Sequence, residues 1–215
     1  MSFSKDDLNT GDILLFHHTE DCKSCYNCVF SCFTGLIECC TKSHFSHAAM
    51  VIRDPQFTDP PMKGLYVFES SFEAFRDAED HKYKFGVELE EYDKVIASAK
   101  PHEKIYWRKL RCVRDNKFYE TLKEVHTEVH DKPYDFYPID FINALIHREG
   151  GDDAQTTKRF FCSALVAYVY TQWDFLPYTT EWSRVTPKML GSENNDPYRL
   201  SLIHISEPTR LGMIS

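Results

Sequence analysis

The chain has 215 residues, of which 42% are hydrophobic and 27% charged, and it carries a formal net charge of -8 with a pI near 5.7. This length and composition fit one globular domain whose core needs no disulfides or metal ions for stability. The acidic balance and the lack of a Lys/Arg-rich run argue against nucleic acid as a partner, because phosphate recognition depends on clustered basic side chains.

Two features of the sequence bear on the location of the protein. The N-terminus lacks the apolar stretch of a secretory signal. The longest near-apolar run, residues 160–170, is about half as long as a bilayer-spanning helix. We therefore expect a soluble, cytoplasmic protein, whose eight cysteines are reduced thiols or metal ligands rather than disulfides.

Short apolar runs in the first half of the chain predict β-strands. The clearest are residues 12–16, 46–52 and 65–69, and weaker candidates lie around 86–89, 94–97 and 105–110. The second of these runs, Ser-His-Ala-Ala-Met-Val-Ile, is apolar on both sides after His47, which predicts a strand buried on both faces.

In the second half of the chain, the apolar residues recur at helical spacing. Four of them share one face and predict an amphipathic helix over residues 115–131, namely Phe118, Leu122, Val125 and Val129. Further helices are predicted at 139–147, after Pro138, and at 160–173. Strands followed by helices indicate an α+β fold.

Cys162 lies near the predicted start of the last helix, with Lys158 and Arg159 just upstream. A helix N-terminus carries about half a positive charge, so a thiol there becomes more acidic and the neighbouring amides can bind an oxyanion. These features favour a nucleophilic cysteine. The alternative is an inert, buried cysteine that acts as a small apolar residue.

His47 and Glu69 lie in two apolar strands, where a buried polar side chain needs a partner. If these strands form an antiparallel hairpin in which Val51 faces Leu65, then His47 lies directly opposite Glu69 and within side-chain reach. A carboxylate in that position would orient the imidazole as a base. A purely structural His–Glu pair is the alternative.

Several short motifs follow one another in a specific order. Gly11-Asp12 enters the first strand, Phe45-Ser46-His47 begins the second, Glu69 ends the third, and Phe161-Cys162-Ser163-Ala164 opens the late helix. Pro133-Tyr134-Asp135, Trp182-Ser183 and Pro187 complete the set. From about residue 10 to residue 190, this pattern resembles the circularly permuted NlpC-type papain-like hydrolases. It is most similar to their YiiX-like branch, which includes poxviral members.

The resemblance implies a permuted papain-like fold, in which an antiparallel sheet packed against helices carries the histidine and precedes the helix that carries the cysteine. It implies a catalytic triad with Cys162 as nucleophile, His47 as base and Glu69 as the residue that orients the base. Tyr134 would line the substrate cleft. The implied activity is cleavage of an amide or ester bond in a peptide, amide or lipid-linked substrate, with no cofactor.

A related permuted branch, the lecithin:retinol acyltransferase-like proteins, has an Asn-Cys-Glu-His-Phe signature. In this chain Phe161-Cys162-Ser163-Ala164 stands in its place. The difference disfavours acyl transfer to a lipid but leaves it as an alternative to hydrolysis.

A group of cysteines supports a different hypothesis. Cys22, Cys25, Cys28 and Cys32 have the C-x2-C-x2-C-x3-C spacing of a ferredoxin-type iron–sulfur site, and four thiolates this close could also bind zinc. Phe33, however, replaces the proline that usually follows, and the sequence has no second cysteine run. A metal-binding interaction module with an inactive papain-like core is therefore an alternative function.

The segment 20–44 that holds these cysteines allows two further interpretations. Its cysteines lie among apolar residues, so palmitoylation could attach the protein peripherally to a membrane. The segment could also be a cysteine-rich insertion without any ligand.

Residues 1–200 are predicted to form the domain and residues 201–215 a disordered tail. The tail continues no predicted element and resembles translated adapter sequence. Six acidic residues in the middle of the chain are predicted to form a solvated acidic face, namely Asp77, Glu79, Asp80, Glu88, Glu90 and Glu91.

Overall fold

The computed structural model describes residues 4–18, 45–71, 76–99, 103–133, 160–191 and 209–210. These residues form an α+β fold, as predicted, with one antiparallel sheet of order β4-β3-β2-β1-β5-β6. The strands are β1 (Ile13–His18), β2 (His47–Arg53), β3 (Leu65–Ser71), β4 (Gly86–Glu91), β5 (Glu103–Arg108) and β6 (Thr209–Arg210).

The described parts of the chain contain four α-helices. They are α1 (Tyr92–Ser98), α2 (Asn116–Val129), α3 (Cys162–Gln172) and α4 (Pro187–Leu190). None of the helices in these parts combines the length and the apolarity that crossing a bilayer requires.

Both faces of the sheet are buried, which explains why its central strands are apolar almost without interruption. In β1, Ile13 and Leu15 belong to the larger core, which includes α2 and α3. Leu14 and Phe16 point the other way, into a smaller core that includes Tyr92 of α1. The sheet is thus a middle layer with helices packed on each side.

Helix α2 follows its predicted periodicity and begins at a capping residue. The Asp115 carboxylate accepts a hydrogen bond of 3.0 Å from the Phe118 amide, which satisfies one of the free donors of the first turn. The four apolar residues at helical spacing are all buried, and the Phe118 ring stacks on Trp173 just after α3. The capped end and the apolar face together dock α2 against α3.

Asp12 anchors the entry to β1. Its buried carboxylate accepts hydrogen bonds from Trp107 Nε1 (2.8 Å) and from the Leu110 amide (2.9 Å), and Arg114 Nη2 lies 3.3 Å away. Gly11 before it has a φ of +91°, and a Cβ at this position would lie 2.6 Å from the Leu110 side chain. The Gly-Asp motif therefore joins β1 to β5 and to the segment that follows it.

The strand predicted at 94–97 is wrong, because these residues lie in helix α1. Tyr92 and Val95 are three residues apart, so they share one side of the helix and are buried against the sheet. A short apolar run suits a strand or a helix equally well, and packing decides between them.

The predicted acidic face is wrong for Asp77, Glu88 and Glu90, which are all buried. The glutamates of β4 alternate with Val87 and Leu89, a pattern that normally marks a strand with one solvated face. Here the face of the sheet that carries the glutamates is also buried. The alternation therefore places the glutamates and the apolar residues in two different buried environments.

Two residues of the predicted disordered tail form a strand, since Thr209–Arg210 pairs with Tyr106 and Trp107 of β5. β5 lies on the outer side of β1, where its backbone groups can pair with an added extended segment. Residues 201–208 and 211–215 lie outside the described residues, as do the cysteine segment, Tyr134 and the helix predicted at 139–147.

Candidate active site

His47 is the first residue of β2, so its ring lies at the end of the sheet. Ser46 fixes the backbone there, because both its amide (2.9 Å) and its hydroxyl (3.3 Å) donate to the Phe16 carbonyl. The Phe16 ring, directly across in β1, contacts the imidazole edge-on with centroids 5.2 Å apart. The His47 side chain is 21% exposed, so one part of the ring is open to solvent.

Glu69 of β3 is buried and its Oε2 is hydrogen-bonded to His47 Nε2. The contact forms although the predicted register is wrong, since Val51 pairs with Val67 and not with Leu65. Side chains alternate along a strand with a period of two, so a shift of two residues leaves Glu69 on the same face as His47. The two side chains therefore meet diagonally across the β2–β3 pair rather than directly.

Cys162 is the first residue of α3, and the first turn closes with a 3.0 Å bond from the Leu165 amide to the Phe161 carbonyl. Phe161 at the N-cap offers no side-chain acceptor, so the free amides of this turn can act on other groups. The amides of Ser163 and Ala48 hydrogen-bond the Cys162 sulfur. The sulfur thus lies between the start of α3 and the start of β2.

Two side-chain hydrogen bonds hold the segment around Cys162 against its neighbours. Ser70 Oγ of β3 donates to the Phe160 carbonyl, and Ser163 Oγ donates to the Val185 carbonyl, each at 2.7 Å. The first bond links the cysteine segment to the strand that carries Glu69, and the second links it to the chain after α3. The position of the thiol is therefore set by the sheet as well as by its own helix.

His47 also hydrogen-bonds the Cys162 thiol, so the structure brings Cys162, His47 and Glu69 together. Burial alone would raise the pKa of Cys162, but the charge of His47 and its hydrogen bond lower the pKa below the ordinary thiol value of 9.0. Burial would likewise lower the pKa of His47, but the charges of Cys162 and Glu69 raise it well above 6.5. Both shifts favour a thiolate–imidazolium pair.

Two further carboxyl groups lie beside Glu69, on the same face of the sheet. Glu88 is directly opposite Glu69 in β4 and is 0% exposed, and neither of its carboxyl oxygens has a hydrogen-bond partner among the residues that the structure describes. Burial, followed by the charges of Glu69 and Asp77, raises the pKa of Glu88 to about 9. Glu88 is therefore a neutral acid at pH 7.

Glu90 is two residues further along β4, and it is hydrogen-bonded to Glu69. Burial raises its pKa to about 10, together with the charges of Glu69 and Glu88 and the hydrogen bond itself. A neutral Glu90 carboxyl donates its proton to a Glu69 oxygen, so Glu69 is held from two sides. The sequence analysis did not predict this contact. The one available signal was that two glutamates lie in the strand next to the strand that carries Glu69.

Cys112 is the other cysteine that the structure describes, and its environment is the opposite of that of Cys162. Burial raises the pKa of the Cys112 thiol, and the nearby charge of Arg114 only partly offsets that rise. Of these two thiols, Cys162 is the one whose environment favours the thiolate form. A thiolate, a base and an oriented carboxylate in contact are the groups that nucleophilic acyl transfer requires.

No protein-family model matches the chain, and no curated protein matches it. The chain is similar to a solved structure, that of the metalloprotein yiiX from Escherichia coli O157:H7, with a TM-score of 0.48. The sequence identity is 16%, over 95% of this chain and 97% of that chain. At these values the likeness assigns no role to any residue, so the chemistry of the site rests on the contacts described above.

Proposed function

We propose that the protein is a thiol hydrolase that cleaves an amide or ester bond through an acyl-enzyme, with a fold of the permuted papain-like type. Cys162 is the nucleophile, His47 the base and Glu69 the residue that orients the base. The observation that carries the proposal is the hydrogen bonding of one imidazole to both the thiol and the carboxylate. A purely structural His–Glu pair needs no thiol, whereas here the Cys162 thiol is hydrogen-bonded to the same imidazole.

In the first half of the proposed reaction, the Cys162 thiolate attacks the carbonyl carbon of the substrate. Since Nε2 of His47 is bonded to Glu69, Nδ1 is the ring nitrogen available to the thiol and, afterwards, to the leaving group. The tetrahedral oxyanion is stabilised by the amides at the start of α3. The imidazolium then protonates the leaving amine or alcohol, the carbon–nitrogen or carbon–oxygen bond breaks, and a thioester remains on Cys162.

In the second half, neutral His47 takes a proton from water as the water attacks the thioester. The carbon–sulfur bond breaks, the carboxylic acid leaves, and the proton on His47 restores the ion pair with the thiolate. Glu69 keeps its hydrogen bond to Nε2 of His47 throughout and holds the ring in the tautomer that both steps need. The overall reaction is hydrolysis and consumes no cofactor.

The test is to trap the acyl-enzyme. The purified protein is mixed with activated esters of short and long acyl chains, quenched in acid, and analysed by peptide mass spectrometry. We expect an acyl adduct on Cys162 in the wild-type protein and neither adduct nor turnover in Cys162→Ala, whereas Cys112→Ala should behave as the wild type. Turnover that survives Cys162→Ala would refute the proposal. Transfer of the acyl group to an added amine or lipid in preference to water would instead assign the acyltransferase alternative.

A further inference from the structure

A second group of polar side chains lies between α2 and the β3–β4 connection and shares no residue with the thiol site. His126 and His130 are one helical turn apart at the end of α2. Their Nε2 atoms converge on a single oxygen, Oε2 of Glu79, at 3.0 Å and 3.2 Å. The three ligand atoms all lie within 4.8 Å of one another.

These distances fit the coordination of zinc. Ligand atoms about 2.0–2.1 Å from a tetrahedral Zn²⁺ are separated from one another by about 3.4 Å. The two Glu79–imidazole distances are within a few tenths of an ångström of that separation. Two histidines one helical turn apart with one glutamate are also a ligand set that zinc uses in proteins, with the fourth position open to water.

The imidazoles are held in place by groups outside the ligand set. The His126 ring is nearly buried and packs against Phe57, with centroids 4.4 Å apart. His130 Nδ1 faces Asp131 Oδ2 at 3.6 Å, and Lys84 Nζ lies 3.3 Å from His130 Nε2. An ammonium can only donate, so this contact requires an unprotonated Nε2 of His130, which is the state that can bind a metal ion. A carboxylate behind a ligating imidazole is the usual arrangement around metal ions.

The local charge balance also favours a divalent cation. Within this group, four carboxylates face two ammonium groups, which leaves two negative charges when both imidazoles are neutral. The carboxylates are those of Asp77, Glu79, Asp80 and Asp131, and the ammonium groups are those of Lys82 and Lys84. Lys84 is bound by Asp77 (3.0 Å) and Asp80 (3.2 Å), so it keeps these partners when a metal ion replaces its contact with His130.

We propose that Glu79, His126 and His130 form a zinc site that fastens the β3–β4 connection to the end of α2. The side chains of His130 and Glu79 are 22% and 17% exposed, so an ion can reach the site from solvent. The site lies on the connection that leads from Glu69 to Glu88 and Glu90, and its occupancy stabilises that part of the sheet. This assignment does not depend on the thiol hydrolase activity.

The test compares bound zinc in variants of the full chain, because the cysteines of segment 20–44 could hold a second ion. Protein is stripped with a chelator, equilibrated with Zn²⁺, dialysed and analysed by elemental mass spectrometry. We expect Glu79→Gln and His130→Ala each to lose one equivalent of zinc, or to bind that equivalent at least tenfold more weakly. His81→Asn is the matched control, because this exposed histidine of the same connection has a positive φ that asparagine tolerates.

Two further readouts separate a metal site from a structural role. When Co²⁺ replaces Zn²⁺, Glu79→Gln should lose visible absorption bands of the kind that nitrogen and oxygen ligands give. Any near-ultraviolet band from thiolate ligands should persist in this variant. Zinc should raise the Tm of the wild type and of His81→Asn more than that of Glu79→Gln. Unchanged zinc content in folded Glu79→Gln and His130→Ala, or a folded wild-type protein that binds no zinc outside the cysteines, would overturn the assignment.

Discussion

His47 and Glu69 are joined by a hydrogen bond between Nε2 and Oε2 although they lie two residues out of register across the β2–β3 pair. The bond directs the opposite side of the ring to Cys162 and raises the pKa of His47 together with the Cys162 charge. One diagonal contact in a sheet thus fixes both the orientation and the protonation of the imidazole.

Replacing Glu69 by glutamine should lower the rate of acylation of Cys162 by up to about 10⁴-fold, because the carboxylate holds the imidazole in the tautomer that the reaction needs. The glutamine keeps the shape but removes the charge that raises the pKa of His47. The alkaline limb of the pH–rate profile should therefore move to lower pH. Glu91→Gln, an exposed glutamate that pairs with Lys94, is the matched control and should change neither the rate nor the profile.

Glu90 should act through Glu69, since a neutral carboxyl donates its proton to the Glu69 carboxylate. Glu90→Gln keeps a donor and should retain most of the acylation rate at pH 7. Glu90→Ala removes the donor and should lower the acylation rate about tenfold or more, since a hydrogen bond to a charged group contributes about 1.5–3 kcal/mol. The same acylation assay measures both variants, and equal rates for the two would show that the hydrogen bond to Glu69 has no role in orienting it.

The buried carboxyls of β4 should make the protein less stable as the pH rises. The folded pKa values of Glu88 and Glu90 are about 9 and about 10, above the ordinary value of 4.5. Between pH 4.5 and about 9 the folded protein therefore binds more protons than the unfolded chain, so the free energy of unfolding falls with rising pH. The slope is at most about 1.4 kcal/mol per pH unit for each group.

Denaturant unfolding at several pH values tests this dependence. Glu88→Gln keeps the volume of the side chain and cannot ionise, so it should raise the free energy of unfolding at pH 8 by about 1–3 kcal/mol and flatten its pH dependence. At pH 5 the variant and the wild type should be nearly equal. A destabilised Glu88→Gln at pH 8 would mean that the Glu88 carboxylate is ionised and has a partner.

Asp12 should be among the most sensitive positions for stability. Asp12→Ala removes the buried acceptor of the Trp107 indole and the Leu110 amide, and one of the acceptors of the Arg114 guanidinium. Removal of one partner from such a buried charged network costs about 3–5 kcal/mol. The exposed Asp6→Ala, in the 3-10 turn before β1, is a useful comparison and should cost less than about 1 kcal/mol. Urea unfolding of the two variants measures the difference.

The sequence predicted the α+β class and most elements of the described residues, because apolar periodicity is a local property. It also paired the two strands that carry His47 and Glu69. It did not predict their register, since the hairpin between them is closed by a connection of 11 residues (54–64) whose geometry propensity does not specify. The contact was still predictable because a shift of two residues preserves the face of each side chain.

What the sequence could not show is which polar residues are buried. Glu88 and Glu90 alternate with apolar residues as on a solvated edge strand, and only the packing of the second sheet face reveals that they are covered. The convergence of Glu79 with His126 and His130 is similarly non-local, since 47 residues separate Glu79 from His126. Burial and long-range contacts of this kind depend on tertiary structure, whereas strand and helix patterns do not.

The most direct test of the thiolate–imidazolium pair is the pH dependence of alkylation at Cys162 alone. Iodoacetamide labelling is followed peptide by peptide from pH 5 to pH 10, in the wild type and in His47→Ala, with Cys112 as the internal control. Burial slows the absolute rate of alkylation at Cys162, but the apparent pKa comes from the pH dependence of that rate and is unaffected by its absolute size.

We expect Cys162 in the wild type to titrate below 9.0, and at a higher pH in His47→Ala, because burial then acts without the opposing charge of the imidazolium. Cys112 should titrate alike in both proteins. A Cys162 titration that is the same with and without His47 would contradict the account.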